Sequence, residues 1–287
     1  MKYLILITVA LLGVSGIFAQ TKISDKQEVY GTWSKSKSPY IVEGEAIVPS
    51  SQTLIIEPGV VVQFKTGEDR DYAVDGVKSS TFNVGFLRVF GTIKAEGTAK
   101  KLIKFTRNGK DGFWGNIAID SRSKNNSFKY CWIEAAFYIR YVVLSSNDNA
   151  TGAISFFNSE GTVQNCFFIN NGWTALNCKE GSNPDLKNNT IYGNKYGIEC
   201  NTGSFPIITS TIVWNNETAF YVNGGASPKI SYSLIQDSEF IEGIVDKGNN
   251  IFAVDPQFAK PAKNKFKLKS SSPAFKKGQG GVNMGAL

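Results

Sequence analysis

The chain has 287 residues and not one histidine. That removes the commonest general base and the commonest metal ligand. A Ser-His-Asp triad, a Cys-His pair and any His-bearing zinc site are thereby excluded. None of the four cysteines forms a C-x-x-C pair, which excludes the usual zinc and dithiol motifs. Strong helix-forming runs are rare, while glycine is frequent at 28 residues and aromatics reach 13%. This balance favours strands and turns. After the first residues no apolar run is long enough to span a bilayer.

Acidic residues are missing from the last segment, which holds Lys260, Lys263, Lys265, Lys267, Lys269, Lys276 and Lys277. The net charge of +7 is concentrated there. These lysines alternate with Phe266 and Leu268, the pattern of a strand with one solvated face. Lysine on an exposed edge also blocks edge-to-edge association. A nucleic-acid partner needs basic residues interleaved with stacking or base-reading groups, and no such partner is expected. Met1-Lys2 followed by the apolar Leu4–Val14 run reads as a leader, with cleavage expected after Ala19 and Gln20 as the new N-terminus. The expected location is secreted, periplasmic or cell-surface, with no membrane span after cleavage.

What is present is a phrase written twice. Asn189-Thr190-Ile191-Tyr192-Gly193-Asn194 is answered by Ser210-Thr211-Ile212-Val213-Trp214-Asn215. Pro184, Pro206 and Pro228 fall 22 residues apart, as do Leu176, Ile198 and Phe220. Cys178, Cys200 and Val222 keep that step, as do Leu186, Ile208 and Ile230. Ile154, Phe156, Val163 and Phe168 fit the same columns one unit earlier. A short fixed period marks a solenoid. Leu176 and Cys178 flank Asn177, and Ile198 and Cys200 flank Glu199. That period of two means strand, with alternate side chains on opposite faces. Gly181-Ser182-Asn183-Pro184, Gly203-Ser204-Phe205-Pro206 and Gly224-Gly225-Ala226-Ser227-Pro228 supply turns.

Each unit is therefore one rung of short strands, and stacked rungs make parallel sheets. Two inward ladders are expected: Ile154–Leu176–Ile198–Phe220 and Phe168–Ile191–Ile212–Leu234. Asn171, Asn194 and Asn215 form a further column at a turn, where stacked amides bond one another and the backbone. Leu87, Val89, Ile93, Ile103, Phe105, Trp114, Ile117 and Ile119 suggest earlier rungs. Cys131 and Ile133 match Cys166 and Phe168.

"GTWSKSKSPYIVEGEAIVPSSQTLIIEPGVVVQF" (31–64) resembles the opening of secreted right-handed parallel β-helix repeat proteins, the pectin-lyase-like superfamily. "LRVFGTIKAEGTAKKLIKFT" (87–106), Trp114-Gly115-Asn116-Ile117, "DPQF" (255–258), "FKLKSSSPAF" (266–275) and "NMGAL" (283–287) resemble their later turns and closing segment. The resemblance implies an all-β, right-handed parallel β-helix. The organisation expected is a leader at 1–19, an entry and cap at 20–53, and the helix at 54–258. Insertions are expected near 66–85 and 137–151, and a Lys-rich closing segment at 259–287. The superfamily spans lyases, hydrolases, adhesins and non-catalytic binders, so fold alone leaves activity open.

Lyases of this architecture use Arg or Lys as base and calcium against a uronate. Arg107, Lys110, Arg122 and Arg140 are candidate bases. Asp69, Asp71 and Asp75 are the best calcium candidates. They depart from an EF-hand loop, because Ala73 occupies its third ligand position, and a solvated acidic loop is the competing reading. Glycoside hydrolysis needs paired carboxylates, and Asp111 and Asp120 do not make a recognisable pair. A binding face is easier to draw. Asn177, Lys179, Glu199, Asn201, Tyr221 and Asn223 point outward from one sheet, a mix that suits sugars or an ordinary solvated face. Glu134, Ile169, Tyr192, Val213 and Ile235 are expected as an outward, largely apolar column. It is either a protein-partner surface or is covered by the 137–151 loop. The leading functional expectation is polysaccharide or surface-glycan binding without catalysis. A polysaccharide lyase and an adhesive module are the alternatives, with calcium the only cofactor considered. Cys131 with Cys166, and Cys178 with Cys200, stack close enough for disulfides. Side chains pointing the same way favour buried free thiols.

Overall fold

The structure is a computed structural model that describes residues 20–67, 84–140 and 149–286. Among these residues the chain winds into three long parallel sheets, visited in the order A, B, C once per rung. Sheet A has ten strands, from Thr21–Ile23 to Ile251–Phe252. Sheet B has eight, from Gln27–Glu28 to Thr218–Val222, and sheet C nine, from Gly31–Trp33 to Val245–Asp246. Strands of two to six residues are enough, because each bonds to the rungs above and below rather than to a neighbour in its own rung.

The interior is a set of straight apolar ladders. Leu87, Ile117, Ile154, Leu176, Ile198 and Phe220 stack in register on sheet B. Ala95, Phe128, Val163, Leu186, Ile208 and Ile230 stack on sheet C. All are buried, each large side chain contributing roughly 1.5–3 kcal/mol.

The third ladder differs from its expected course. On sheet A it runs Phe105, Ile133, Phe168, Ile191, Val213, Ile235. Ile212 and Leu234 lie on the outer face, continuing Thr190. The repeated phrase matches at a step of 21, but the rungs keep a step of 22, pairing Ile191 with Val213. A one-residue slip exchanges the two faces of a strand. Val213 and Ile235, expected outside, are therefore inside.

The corners set that register. Between sheets A and B, Ala135, Asn170, Gly193 and Asn215 take left-handed backbone conformations. The residue after each closes the turn. Asn171 donates its backbone N–H and Nδ2 to Asn194 Oδ1 (3.0 and 2.9 Å). Asn194 does the same to Asn216 Oδ1 (3.0 and 2.9 Å). Ala136 N–H donates to Asn171 Oδ1, and Asn216 N–H to Gln236 Oε1. The ladder amide is thus Asn216, not the expected Asn215, which holds the left-handed turn position that asparagine also tolerates. Between sheets C and A a second corner ladder runs from Cys166 N–H to Asn189 Oδ1, Asn189 N–H to Thr211 Oγ1, Thr211 N–H to Ser233 Oγ, and Ser233 N–H to Asn250 Oδ1.

Residues 258–286 of the same chain cover the outer face of sheet A, while most of the expected covering segment, 141–148, lies outside the described residues. Phe258–Lys260 and Lys265–Leu268 pair antiparallel. Phe258, Phe266, Leu268, Ala274, Met284 and Ala286 pack on Phe167, Ile169, Ile212 and Leu234. Lys265 and Lys267 face solvent while Phe266 and Leu268 are buried, as their alternation predicts. Hydrogen bonds seat the segment: Ala286 N–H to Thr190 Oγ1 (2.9 Å), Gly285 N–H to Ser210 O (2.7 Å) and Asn188 Nδ2 to Asn283 O (2.9 Å). On the same outer face, Glu134 accepts from Lys104 Nζ (2.7 Å), Trp132 Nε1 (2.6 Å) and Thr106 Oγ1 (2.8 Å). Burial pushes its carboxyl up, but these three donors outweigh burial and hold it below the usual carboxylate range.

Two outcomes are expected. Asn194→Ala removes the acceptor of a buried backbone N–H, so denaturant unfolding should show a loss of about 1–3 kcal/mol. No loss would mean that the ladder is ornamental. Glu134 is more acidic folded than unfolded, so its stabilisation is complete above the ordinary carboxylate range and fades as pH falls through the lowered folded value. Glu134→Gln should flatten the acid limb of a stability–pH curve, and an unchanged limb would contradict this account.

Candidate functional site

Sheet B keeps its outer face open beside the A–B corner, and there the rungs gather aromatic rings. Trp173 follows the corner residue Asn171, and one rung later Lys195 follows Asn194. The two loops stack through Lys195 N–H donating to Trp173 O (3.1 Å). Lys195 Nζ sits 3.6 Å from the centre of the Trp173 ring and 5.7 Å from that of Tyr196. Tyr196 lies 5.9 Å from Trp173 and 5.9 Å from Tyr221, tilted about 60° to each. Phe137 and Tyr138 extend the aromatic row on the far side of Trp173.

These rings wall a cleft of about 250 Å³ lined by Thr151, Trp173, Tyr196, Glu199 and Tyr221. Glu199 is its one charged lining group among the described residues. Its Oε2 accepts from Thr151 Oγ1 (2.5 Å) and Thr174 Oγ1 (3.1 Å), and its Oε1 from Asn201 Nδ2 (2.6 Å). The carboxylate is thus clamped by three rungs. Tyr221 forms the open rim at 45% exposure, and its hydroxyl accepts from Asn223 Nδ2 (3.2 Å). Such a site offers ring faces for sugar C–H groups and polar atoms for hydroxyls.

The expected face is on the page, but unevenly. Asn177, Glu199 and Tyr221 are in register on sheet B. Glu199, Asn201, Tyr221 and Asn223 are brought together by hydrogen bonds within and beside the cleft. Asn201 is buried, acting as a brace for Glu199. Asn177 is fully buried, and neither atom of its amide has a hydrogen-bond partner among the described residues. Lys179 is half-buried with Nζ 6.0 Å from the Phe157 ring, away from the cleft walls.

Trp173, Tyr196, Thr151 and Thr174 were not anticipated. Strict alternation from Ile198 puts Tyr196 inside. The alternation breaks at this position in successive rungs: Ala175, Gly197 and Ala219 face inward together with Leu176, Ile198 and Phe220, so Tyr196, in register with Thr174 and Thr218, turns out. A Cβ on Gly197 would meet Ala219 O and the Val213 side chain. The usable signal was the 22-residue step of Leu176 and Ile198, which places residues 173 and 195 at matching positions of an exposed turn.

Other candidates separate. Asp69, Asp71 and Asp75 lie outside the described residues. Among the described residues no group of three Cys, Asp or Glu is placed to hold a metal ion. Arg107 Nη1 donates to Gly112 O (3.1 Å), and Asp120 pairs with Arg88 at 3.8 Å. No described helix is long and apolar enough to cross a membrane. All four cysteines are buried free thiols. Burial, with Cys166 beside it, pushes the Cys131 thiol up. The hydrogen bond shared with Cys178, and then burial, do the same for Cys200. Such thiols are inert, since the thiolate is the nucleophile.

Residues 138–255, which contain the whole cleft, match a family model described as a right handed beta helix region. A search of curated proteins finds no match.

A thiol reagent such as Ellman's should find no reactive cysteine in the native protein and four after unfolding. A fast-reacting native thiol would show that the interior ladders open.

Proposed function

The chain is a right-handed parallel β-helix protein, and from the cleft on its outer face we propose that it is an exported, non-catalytic glycan-binding protein. One observation carries this reading. Three aromatic side chains and a braced carboxylate from adjacent rungs converge on one cleft of a rigid sheet. Binding sites favour concave, largely apolar surfaces with a few fixed polar groups. Preorganised groups also lose little conformational freedom when a ligand arrives. The Tyr221 ring stacks on a sugar face, while Glu199, Asn223 and the Tyr221 hydroxyl take hydroxyl contacts at its edge. Glycoside hydrolysis needs a second carboxylate across the scissile bond. Among the described lining residues Glu199 stands alone in that chemistry.

A glycan array identifies the best ligand, and titration then compares wild type with Tyr221→Ala. Affinity should fall by roughly 0.5–2 kcal/mol through the lost ring contact and hydrogen bond. Stability should stay within about 0.5 kcal/mol, as for surface substitutions generally. Equal affinities would remove Tyr221 and the cleft from the binding surface.

A further inference from the structure

Among the described residues Glu199 is braced without a cation, as Asp246 is, whereas five other glutamates are paired with one. Glu43, Glu45, Glu96, Glu134 and Glu160 each have a Lys or Arg nitrogen within 4.0 Å: Lys22, Arg88, Lys129, Lys104 and Lys124 in turn. Glu199 has only neutral donors among the described residues. Those donors fill three of about four acceptor directions of a carboxylate, leaving room for one more. The charge is held beside the faces of Trp173, Tyr196 and Tyr221, whose ring quadrupoles attract cations. The wall already demonstrates this, because the Lys195 ammonium rests 3.6 Å from the centre of the Trp173 ring. A carboxylate with no cationic donor among the described residues, set beside electron-rich faces, attracts an ammonium and repels a uronate.

We propose that the cleft selects glycans carrying a free, protonated amino group, so that its ligand is an amino sugar rather than an N-acetylated or uronic one. The inference rests on the glycan reading of the same cleft. The ammonium takes the open position on Glu199 and lies against the rings, while the pyranose carbons stack on Tyr221. An N-acetyl group keeps the ring contacts but loses the charge, and a uronate brings a second negative charge towards the first.

The test is titration of the full chain, by intrinsic fluorescence and calorimetry, with a glucosamine tetrasaccharide, its N-acetylated counterpart, a galacturonate tetrasaccharide and a simple alkyl diamine. The amino tetrasaccharide should bind at least about tenfold more tightly than the N-acetylated one, given a cation held by rings and a carboxylate together. Galacturonate should bind more weakly than both. The preference should shrink as the sugar amine deprotonates and as salt rises. Glu199→Gln should bring the amino and N-acetyl affinities close to equality. The wild-type comparisons stand even if that variant is unstable. Equal or tighter binding of the N-acetylated or uronic sugar overturns the amino-sugar inference and leaves glycan binding intact. Binding of the diamine as tightly as the tetrasaccharide also overturns it, making the cleft a site for cations without sugar. Binding to no sugar at all removes the glycan reading itself.

Discussion

The structure depends on one repeated contact: a corner side-chain oxygen, of an amide or a hydroxyl, that accepts the backbone N–H of the rung before it. Asn171, Asn194, Asn216 and Gln236 do this between sheets A and B, and Asn189, Thr211, Ser233 and Asn250 do it between sheets C and A. A buried corner cannot leave its backbone groups unpaired. The polar side chain must therefore recur at one position of each rung, and that position fixes where the next strand begins. Everything that alternates along the strand inherits its face from this start.

The two open faces of the coil then diverge. On sheet A the outer positions Phe167, Ile169, Ile212 and Leu234 are apolar, and the closing segment lies over them. On sheet B the outer positions nearest the A–B corner combine rings with hydroxyls and a carboxylate. The first face is part of the folded core. The second is held rigid by the rungs beneath it, yet its rings and Glu199 still reach a cleft. A solenoid makes this division natural, since a residue and its equivalents in neighbouring rungs are held one strand spacing apart.

The cleft is also where the local rules are broken. Among the described residues Glu199 has only neutral donors, and Asn177, one rung before it on the same sheet, buries an amide without a hydrogen-bond partner. An unsatisfied buried amide is costly. Departures of this kind gather where a structure is shaped for something other than stability. Glu134 and Glu96, by contrast, are paired with lysine, and the interior ladders are uniformly apolar.

By itself the sequence determined the solenoid. The 22-residue step of Pro184, Pro206 and Pro228, and the alternation around Leu176, Ile198 and Phe220, require stacked parallel strands with those side chains inside. It also determined the solvated face of Lys265–Leu268 and the outward set of Glu199 and Tyr221. It left two choices degenerate. Asn215 and Asn216 are chemically identical neighbours, and only the bend of the backbone decides which is the ladder amide and which the left-handed turn. That choice moves Val213 inside and Ile212 outside. Tyr196 is apolar enough for either face, and the paired inward residues that recur in the neighbouring rungs at Ala175–Leu176 and Ala219–Phe220 send it out towards Trp173 and Tyr221. The cleft and the covering of sheet A belong to tertiary structure, because both arise from contacts between rungs and segments that no single repeat contains.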